Sequence, residues 1–137
     1  MIERIVILIV LAGLGLIAYR LTLRHQFARA AAAAAGMDPL LSGALPGVPT
    51  IVYFTTPDCA PCRLQQTPTL NRLQTELGDR MRVIRVDATE DPDAADRWGV
   101  MTVPTLFLLD GSGQPRGVHN GVVGEAQLRR QVEALTI

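Results

Sequence analysis

The chain has 137 residues, of which 48% are hydrophobic, so it can bury one core but is too short for two ordinary domains. Its 13 basic residues are all arginine and balance 13 acidic residues, which argues against a surface for binding nucleic acid. We therefore expect one folded domain with an appendage, and no nucleic acid among its partners.

The N-terminal segment is apolar. Residues 5–19 carry no charge, and Leu21 and Leu23 extend the run if Arg20 turns its guanidinium toward the membrane interface. About 20 residues cross a hydrocarbon layer of about 30 Å, so residues 5–23 are predicted to form one transmembrane helix. A cleavable signal peptide is the alternative, because the alanine tract that follows offers small residues for cleavage. Several basic residues separate that tract from the apolar run and favour the uncleaved anchor over both a signal peptide and a buried core helix.

Arginines flank the apolar run unequally. Arg4 precedes it, whereas Arg20, Arg24 and Arg29 follow it. Because positive residues favour the cytoplasmic side, this distribution favours a single-pass membrane protein whose C-terminal domain is cytoplasmic. The excess is small, and the extracytoplasmic orientation stays open.

A helix-favouring stretch, RHQFARAAAAAAG, ends at Gly36, where a helix stop is expected. It is predicted to be a stalk or a continuation of the membrane helix. The next stretch, MDPLLSGALPGVP, contains three prolines and two glycines and is predicted to be a linker. The chain is accordingly divided into an anchor (1–24), a stalk and linker (25–47) and a folded domain (48–137).

The first predicted strand of the domain is TIVYFTT, which is rich in β-branched and aromatic residues. A helix is predicted from about Cys59, because Leu70, Leu73 and Leu77 recur at helical spacing before a stop at Gly78. Pro68 is expected to kink this helix.

Further elements alternate in type. Two further strands, MRVIRVD and PTLFLLD, are predicted. A short helix between them begins at Asp91-Pro92, runs to Trp98 and stops at Gly99. GSGQ is a turn, PRGVHNG is a fourth, edge-like strand, and the chain closes with a helix. The order predicts an α/β fold with a mixed four-stranded sheet flanked by helices, in which the first two strands are parallel and the last two form an antiparallel hairpin.

Both cysteines of the chain lie in the stretch TTPDCAPCRL, where the first strand gives way to the first helix of the domain. Free amides and the helix dipole stabilise an anion at such a helix start, and CxxC thiols commonly have a pKa between about 3.5 and 7.5. Cys59 is therefore the candidate nucleophile, and Cys62, one turn later, would resolve the mixed disulfide. A zinc site is disfavoured because only His25 and His119 supply imidazoles and no second CxxC exists.

Three motifs in order resemble the thioredoxin family: YFTTPDCAPC, VDATEDPDAADRWGVMTVPTLFLLDGSG and HNGVVGEAQL. The resemblance spans about residues 49–135 and implies a thioredoxin-like fold after one N-terminal transmembrane helix. It implies Cys59 and Cys62 as a redox-active disulfide, with no other cofactor and no metal. Partners implied are protein thiol or disulfide substrates and an upstream electron donor or acceptor.

The resemblance also implies a substrate groove. Val103 and Pro104 match the family's cis-proline loop beside the cysteines, and Gly121 matches a glycine that leaves room for the substrate. Asp110 to Gly113 match the family's hairpin turn. Ala60 and Pro61 lie between the cysteines and are expected to support the pair, but this dipeptide is Ala-Pro where the family usually has Gly-Pro.

Several positions depart from the family's pattern. Asp58 stands where a tryptophan usually precedes the first cysteine, and its charge opposes thiolate formation unless the carboxylate caps the helix. Tyr53 replaces a buried aspartate that serves in proton transfer, and Val83 replaces its lysine neighbour. The family's first strand and helix have no clear counterpart between Arg24 and Val48.

Taken together, these features predict a membrane-tethered protein-disulfide oxidoreductase of the thioredoxin type. A thioredoxin-fold adaptor that holds a membrane partner, with incidental cysteines, is one alternative. A Cu(I) carrier that uses the same two cysteines is another. Whether the pair acts as a reductant, an oxidant or an isomerase depends on tens of millivolts of redox potential, which the sequence does not reveal.

Overall fold

A computed structural model of the chain describes residues 1–35 and 38–136. The expected helix stop at Gly36 lies outside these residues. The elements are α1 (Ile2–Ala35), a 3-10 turn (Pro39–Gly43), β1 (Thr50–Thr55), a π-helical turn (Cys62–Gln66), α2 (Thr67–Leu77), a 3-10 turn (Gly78–Arg80), β2 (Arg82–Asp87), α3 (Pro92–Trp98), β3 (Thr105–Leu109), β4 (Pro115–Asn120) and α4 (Glu125–Leu135).

The four strands form one mixed sheet in the order β2-β1-β3-β4. β1 and β2 are parallel, with Thr50 opposite Arg82, and a crossover through α2 joins them. β1 pairs antiparallel with β3, and β3 and β4 form an antiparallel hairpin. This topology confirms the predicted α/β class and the predicted mixture of parallel and antiparallel pairs.

The sheet separates two apolar cores, because successive side chains of a strand point to opposite faces. On one face, Ile51 and Tyr53 pack with α2, α4 and both cysteines. On the other face, Val52 and Phe54 pack with α1 and α3, around the buried Trp98. Helices therefore cover both faces, as the alternation of elements predicted.

The helix after β1 does not run as one regular α-helix. Its second turn, Cys62–Gln66, is π-helical, and the Thr67 N–H bonds to the Cys62 carbonyl five residues earlier. Pro68 follows directly, lacks an N–H and would clash with the carbonyl four residues before it. The chain therefore widens the turn that carries Cys62. The kink at Pro68 stays a prediction.

A compact turn joins β3 and β4. The Asp110 carboxylate accepts bonds from the N–H groups of Ser112 and Gln114, each at 3.0 Å, and from the Arg116 guanidinium at 2.8 Å. Burial raises the pKa of this carboxyl, but the hydrogen bonds from Ser112, Arg116 and Gln114 outweigh it and lower the pKa to about 2. The turn therefore depends on an ionised Asp110.

Helix α1 has two environments along its length. The apolar N-terminal part is exposed and is not covered by any other part of the chain that the structure describes, so it is not a core helix. Its length and composition suit both a membrane span and a signal sequence. Farther along, Gln26 and Ala30 are buried, and Ala30 packs in the core that contains Trp98.

The second half of α1 thus covers one face of the sheet, in the segment where the sequence suggested no counterpart of the family's first helix. The division of the chain into anchor, stalk and domain stays a prediction.

Asp38, just after α1, ties this segment to α3. Its carboxylate accepts from the Arg97 guanidinium at 2.9 and 3.2 Å, from Trp98 Nε1 at 3.1 Å and from the Leu40 N–H at 3.0 Å. Burial raises the pKa of Asp38, but the hydrogen bonds from Arg97, Leu40 and Trp98 outweigh it, so the pKa is lowered. The chain is therefore held against the fold at Ala30 and again at Asp38.

Candidate active site

The two cysteines form a disulfide directly beyond the C-terminal end of β1, with Cα atoms 5.2 Å apart. Cys59 retains 8% of its accessible surface, whereas Cys62 retains none. Both side chains belong to the core that contains Tyr53 and Leu70. An incoming thiolate would therefore meet Cys59 first, while Cys62 lies behind it within the protein.

Backbone amides of the helix start bond to both the sulfur and the carbonyl of Cys59. The Cys62 N–H donates to Cys59 Sγ at 3.2 Å, and the Cys59 carbonyl accepts from the Arg63 N–H at 3.1 Å. The first bond is the helix-start interaction that would favour a negative charge on Cys59 once the disulfide is reduced. The geometry is thus suited to a thiolate at Cys59.

The three predicted supporting residues occupy the surface of this turn. Asp58, Ala60 and Pro61 are all exposed, and Pro61 has α-helical dihedral angles. Among the described residues, no backbone amide donates to the Asp58 carboxylate, so its expected alternative role as a helix cap is not adopted here. The Asp58 side chain is exposed to solvent and directly precedes Cys59 in the chain.

The predicted groove residues lie at the same end of the sheet. The Val103–Pro104 peptide bond is cis, and the Pro104 carbonyl accepts from the Gly121 N–H at 2.9 Å. Val103 packs on the core that includes the cysteines. Gly121 has a φ of 130°, which favours glycine, and an added Cβ would meet no atom within 4 Å. The loop that precedes β3 and the loop that follows β4 therefore join beside the disulfide.

Tyr53 fills the position where the family carries a buried aspartate. It is fully buried, and its hydroxyl lies 3.1 Å from the Thr67 hydroxyl. Val83, which replaces the lysine neighbour, packs against the same core. The site therefore has a tyrosine and a valine where the resemblance implies an aspartate and a lysine.

Gln66 is a site residue that the sequence analysis did not identify. It is fully buried at the end of the π-helical turn. Its side-chain oxygen accepts from the Val123 N–H at 2.8 Å, and its side-chain nitrogen donates to the Val123 carbonyl at 3.3 Å. One side chain thus fixes the loop after Gly121 to the segment that bears Cys62.

A signal for Gln66 does exist in the sequence. It precedes Leu70 by four residues, and Leu73 and Leu77 continue the same stripe. A polar residue in line with an apolar stripe indicates a buried hydrogen bond.

For metal ions, residues 1–35 and 38–136 contain no group of three or more His, Cys, Asp or Glu side chains with suitable placement. The redox-active group available at the site is the disulfide itself.

Comparison with known proteins gives a consistent picture. The family model Thioredoxin matches residues 45–134. The thioredoxin of Rhodospirillum rubrum is 35% identical over 86 residues, which cover 63% of this chain and 81% of that protein. The thioredoxin of Bacillus subtilis (strain 168) is 38% identical over 56 residues, 41% of this chain, and this match spans only 53% of that relative's length.

Among solved structures, the crystal structure of chloroplastic thioredoxin z superposes with a TM-score of 0.60 at 26% identity. The superposition covers 65% of this chain and 79% of that one.

Proposed function

The chain belongs to the thioredoxin family, and on this premise we propose that it is a membrane-tethered oxidoreductase that exchanges disulfides with protein thiols. The family and the paired cysteines support thiol-disulfide oxidoreductase chemistry. The observation that carries the proposal is the disulfide at a helix start, with Cys59 reaching the surface and Cys62 enclosed behind it. It acts without a metal or an organic cofactor.

In the reducing direction, the Cys59 thiolate attacks one sulfur of a substrate disulfide. A mixed disulfide forms, and one substrate thiolate leaves and takes up a proton. Cys62 then loses its proton and attacks Cys59 Sγ, which releases the second substrate thiolate and closes the Cys59–Cys62 disulfide. Two electrons pass from the pair to the substrate, and the oxidising direction is the reverse. An upstream donor or acceptor resets the pair.

The loop that contains Val103 and Pro104 is the proposed binding site for an extended substrate segment. In the described part of the chain, neither the N–H nor the carbonyl of Val103 bonds to another backbone group. Such free groups can pair with an extended peptide as an added strand does. Gly121 lies alongside with open space beside its Cα, which supports its role as the floor of this groove.

The membrane tether is proposed from α1. Its apolar part is long enough to cross the hydrocarbon layer, and within residues 1–35 and 38–136 nothing covers it. Cleavage in the alanine tract would remove Gln26 and Ala30, which are buried against the domain. These contacts favour an uncleaved anchor over a signal peptide.

The domain is proposed to lie on the cytoplasmic side, because Arg20, Arg24 and Arg29 follow the span and only Arg4 precedes it. A membrane-impermeant maleimide applied to intact cells tests this orientation. Labelling of reduced cysteines only after the cells are opened supports it, and equal labelling before opening contradicts it.

Exchange by the full chain in lipid vesicles tests the proposed chemistry. Reduced protein is given a peptide with an internal disulfide, and oxidised protein is given the dithiol peptide. We expect C59S to lose exchange in both directions and C62S to accumulate a mixed disulfide with the peptide. Gln65→Ser, at an exposed position on the same turn, is the control and should exchange normally. Undiminished exchange by C59S would refute the proposal. No measurable exchange by the native chain, together with a membrane partner that the C59S/C62S double variant retains, would favour the adaptor.

A further inference from the structure

The sheet has two distinct ends. At one end lie Thr55 of β1, Thr105 of β3 and Asn120 of β4, and the disulfide, the cis-proline bond and Gly121 adjoin these residues. We call this the disulfide end. At the other end, which we call the turn end, lie Thr50, Leu109 and the β3–β4 turn.

Helix α1 enters the fold at the disulfide end. The Gln26 side chain donates to Asn120 Oδ1 at 3.0 Å and to the Gly99 carbonyl at 3.2 Å, and Asn120 Nδ2 donates back to Gln26 Oε1 at 2.9 Å. Gln26 is 1% exposed, whereas Asn120 is exposed, so the pair is shielded from water on the Gln26 side only. One turn later, the Arg29 guanidinium donates to the Asp96 carbonyl at 2.7 Å.

The chain then proceeds toward the turn end. Leu41 and Ser42 line a cavity together with Leu109 and the β3–β4 turn, and the Gly47 N–H donates to the Gly111 carbonyl at 2.9 Å. The path from Gln26 to Gly47 therefore crosses from the disulfide end to the turn end. Because α1 is one continuous helix from Ile2, its apolar part must project outward from the disulfide end.

Helix geometry gives the position of the disulfide end relative to the bilayer. The apolar run ends at Leu23, and Gln26 lies three residues later, about 4.5 Å farther along the axis at about 1.5 Å per residue. The headgroup layer on each side of a bilayer is about 5–7 Å thick. Asn120 and Gly99, both bonded to Gln26, therefore lie near the level of the lipid headgroups.

Exposed apolar side chains concentrate at the same end. Outside α1, four large apolar side chains are exposed among the described residues, and three of them belong to segments beside the disulfide: Leu64 (74%), Met101 (72%) and Val122 (42%). Met101 also lines a cavity with Leu21 and His25 of α1. Met101 thus adjoins the membrane helix at the end of the sheet where Leu64 and Val122 are also exposed.

We propose that the disulfide faces the bilayer and that its substrate is a cysteine pair at headgroup depth on an integral membrane protein. This inference rests on the membrane-tethered function proposed above. The rigid junction at Gln26 holds the domain in one orientation, and the bilayer closes the approach to the groove for a globular soluble protein. A segment that emerges from the bilayer beside α1 would contact the exposed side chains of Leu64, Met101 and Val122 and reach Cys59 directly.

Two synthetic single-span peptides test this inference, each reconstituted with the full chain in phosphatidylcholine vesicles. One carries an internal disulfide three residues from the end of its span. The other carries the same disulfide after a flexible Gly/Ser spacer of about 20 residues, which places it about 25 Å away on average. We expect the first peptide to be exchanged at least fivefold faster.

The matched variant carries about 12 flexible Gly/Ser residues between Arg24 and His25. It keeps the Gln26–Asn120 contact, but the inserted linker separates the membrane helix from the domain by about 19 Å on average. The orientation of the domain is then no longer fixed by the membrane helix. We expect this variant to exchange the two peptides at rates within twofold of each other. A native chain that exchanges both peptides equally would overturn the inference and leave the oxidoreductase proposal intact. If the native chain exchanges neither of these peptides nor a soluble disulfide peptide, the oxidoreductase proposal is refuted instead.

Fluorescence gives a second readout that is independent of activity. M101W places an indole at the disulfide end, and Q114W places one at the turn end, up to about 17 Å farther along β4 at about 3.4 Å per residue. With nitroxide-labelled headgroups in the vesicle, we expect M101W to be quenched at least twofold more than Q114W. Equal quenching would overturn the proposed orientation.

Discussion

Gln66 provides a sharp test of how the disulfide-bearing segment is joined to the groove. Q66L fills a similar volume but leaves the buried N–H and carbonyl of Val123 without the partners they have at 2.8 and 3.3 Å. Each unsatisfied buried group costs about 1–3 kcal/mol. Because the loop can relax toward water, we expect the free energy of unfolding to fall by about 2–4 kcal/mol in total.

Thermal unfolding of the full chain in detergent micelles measures this loss. Trp98 is the only tryptophan and is fully buried, so its fluorescence reports on the domain. For a domain of this size, 1 kcal/mol shifts Tm by about 4–8 °C, so Q66L should lower Tm by at least about 8 °C. Q65L, at the exposed neighbouring position, is the control and should change stability by no more than about 0.5 kcal/mol. If Q66L and Q65L melt within about 2 °C of each other, the reasoning is refuted.

Three further substitutions test other parts of the fold. D110N should lower the free energy of unfolding by about 2 kcal/mol at pH 7, since the folded pKa of about 2 lies below 3.8 and each unit is worth about 1.36 kcal/mol. This difference should fade as the pH falls from about 4 to 2, and a difference independent of pH would contradict the assignment. N120A should cost about 1–2 kcal/mol by leaving Gln26 Oε1 without its donor, and an unchanged Tm would show that the junction is weak. W98F should cost about 1–3 kcal/mol, measured by circular dichroism, because a buried carboxylate loses an N–H donor; a gain in stability would contradict this.

Local patterns predicted the sheet well. Runs of β-branched residues marked the strands, and Asp91 and Gly99 marked the start and the end of α3. Each of these signals acts on residues close to it in the chain. Asp91 caps α3 through the Ala94 N–H at 3.1 Å, and Gly99 adopts the left-handed conformation with a φ of 70°. Such signals can be read from sequence because the interactions they report span only a few residues.

Long-range partners could not be predicted in this way. Gln26 lies in a stretch whose composition indicates only a helix, and its partner Asn120 is 94 residues away. Likewise, the Asp38 carboxylate meets Arg97 and Trp98 only after the sheet has assembled. The sequence therefore indicated a helix in this stretch but not that part of it packs on the sheet.

The reduction potential of the Cys59–Cys62 couple tests the central claim most directly. The full chain in micelles is equilibrated in glutathione and dithiothreitol buffers, and the thiols are trapped by alkylation and counted by mass. We predict one two-electron transition between about −270 and −120 mV. A value near −270 mV indicates a reductant and fits a cytoplasmic domain, whereas about −180 to −120 mV indicates an oxidant or isomerase on the opposite side. A disulfide that stays closed to potentials below about −300 mV would be structural and would contradict the account.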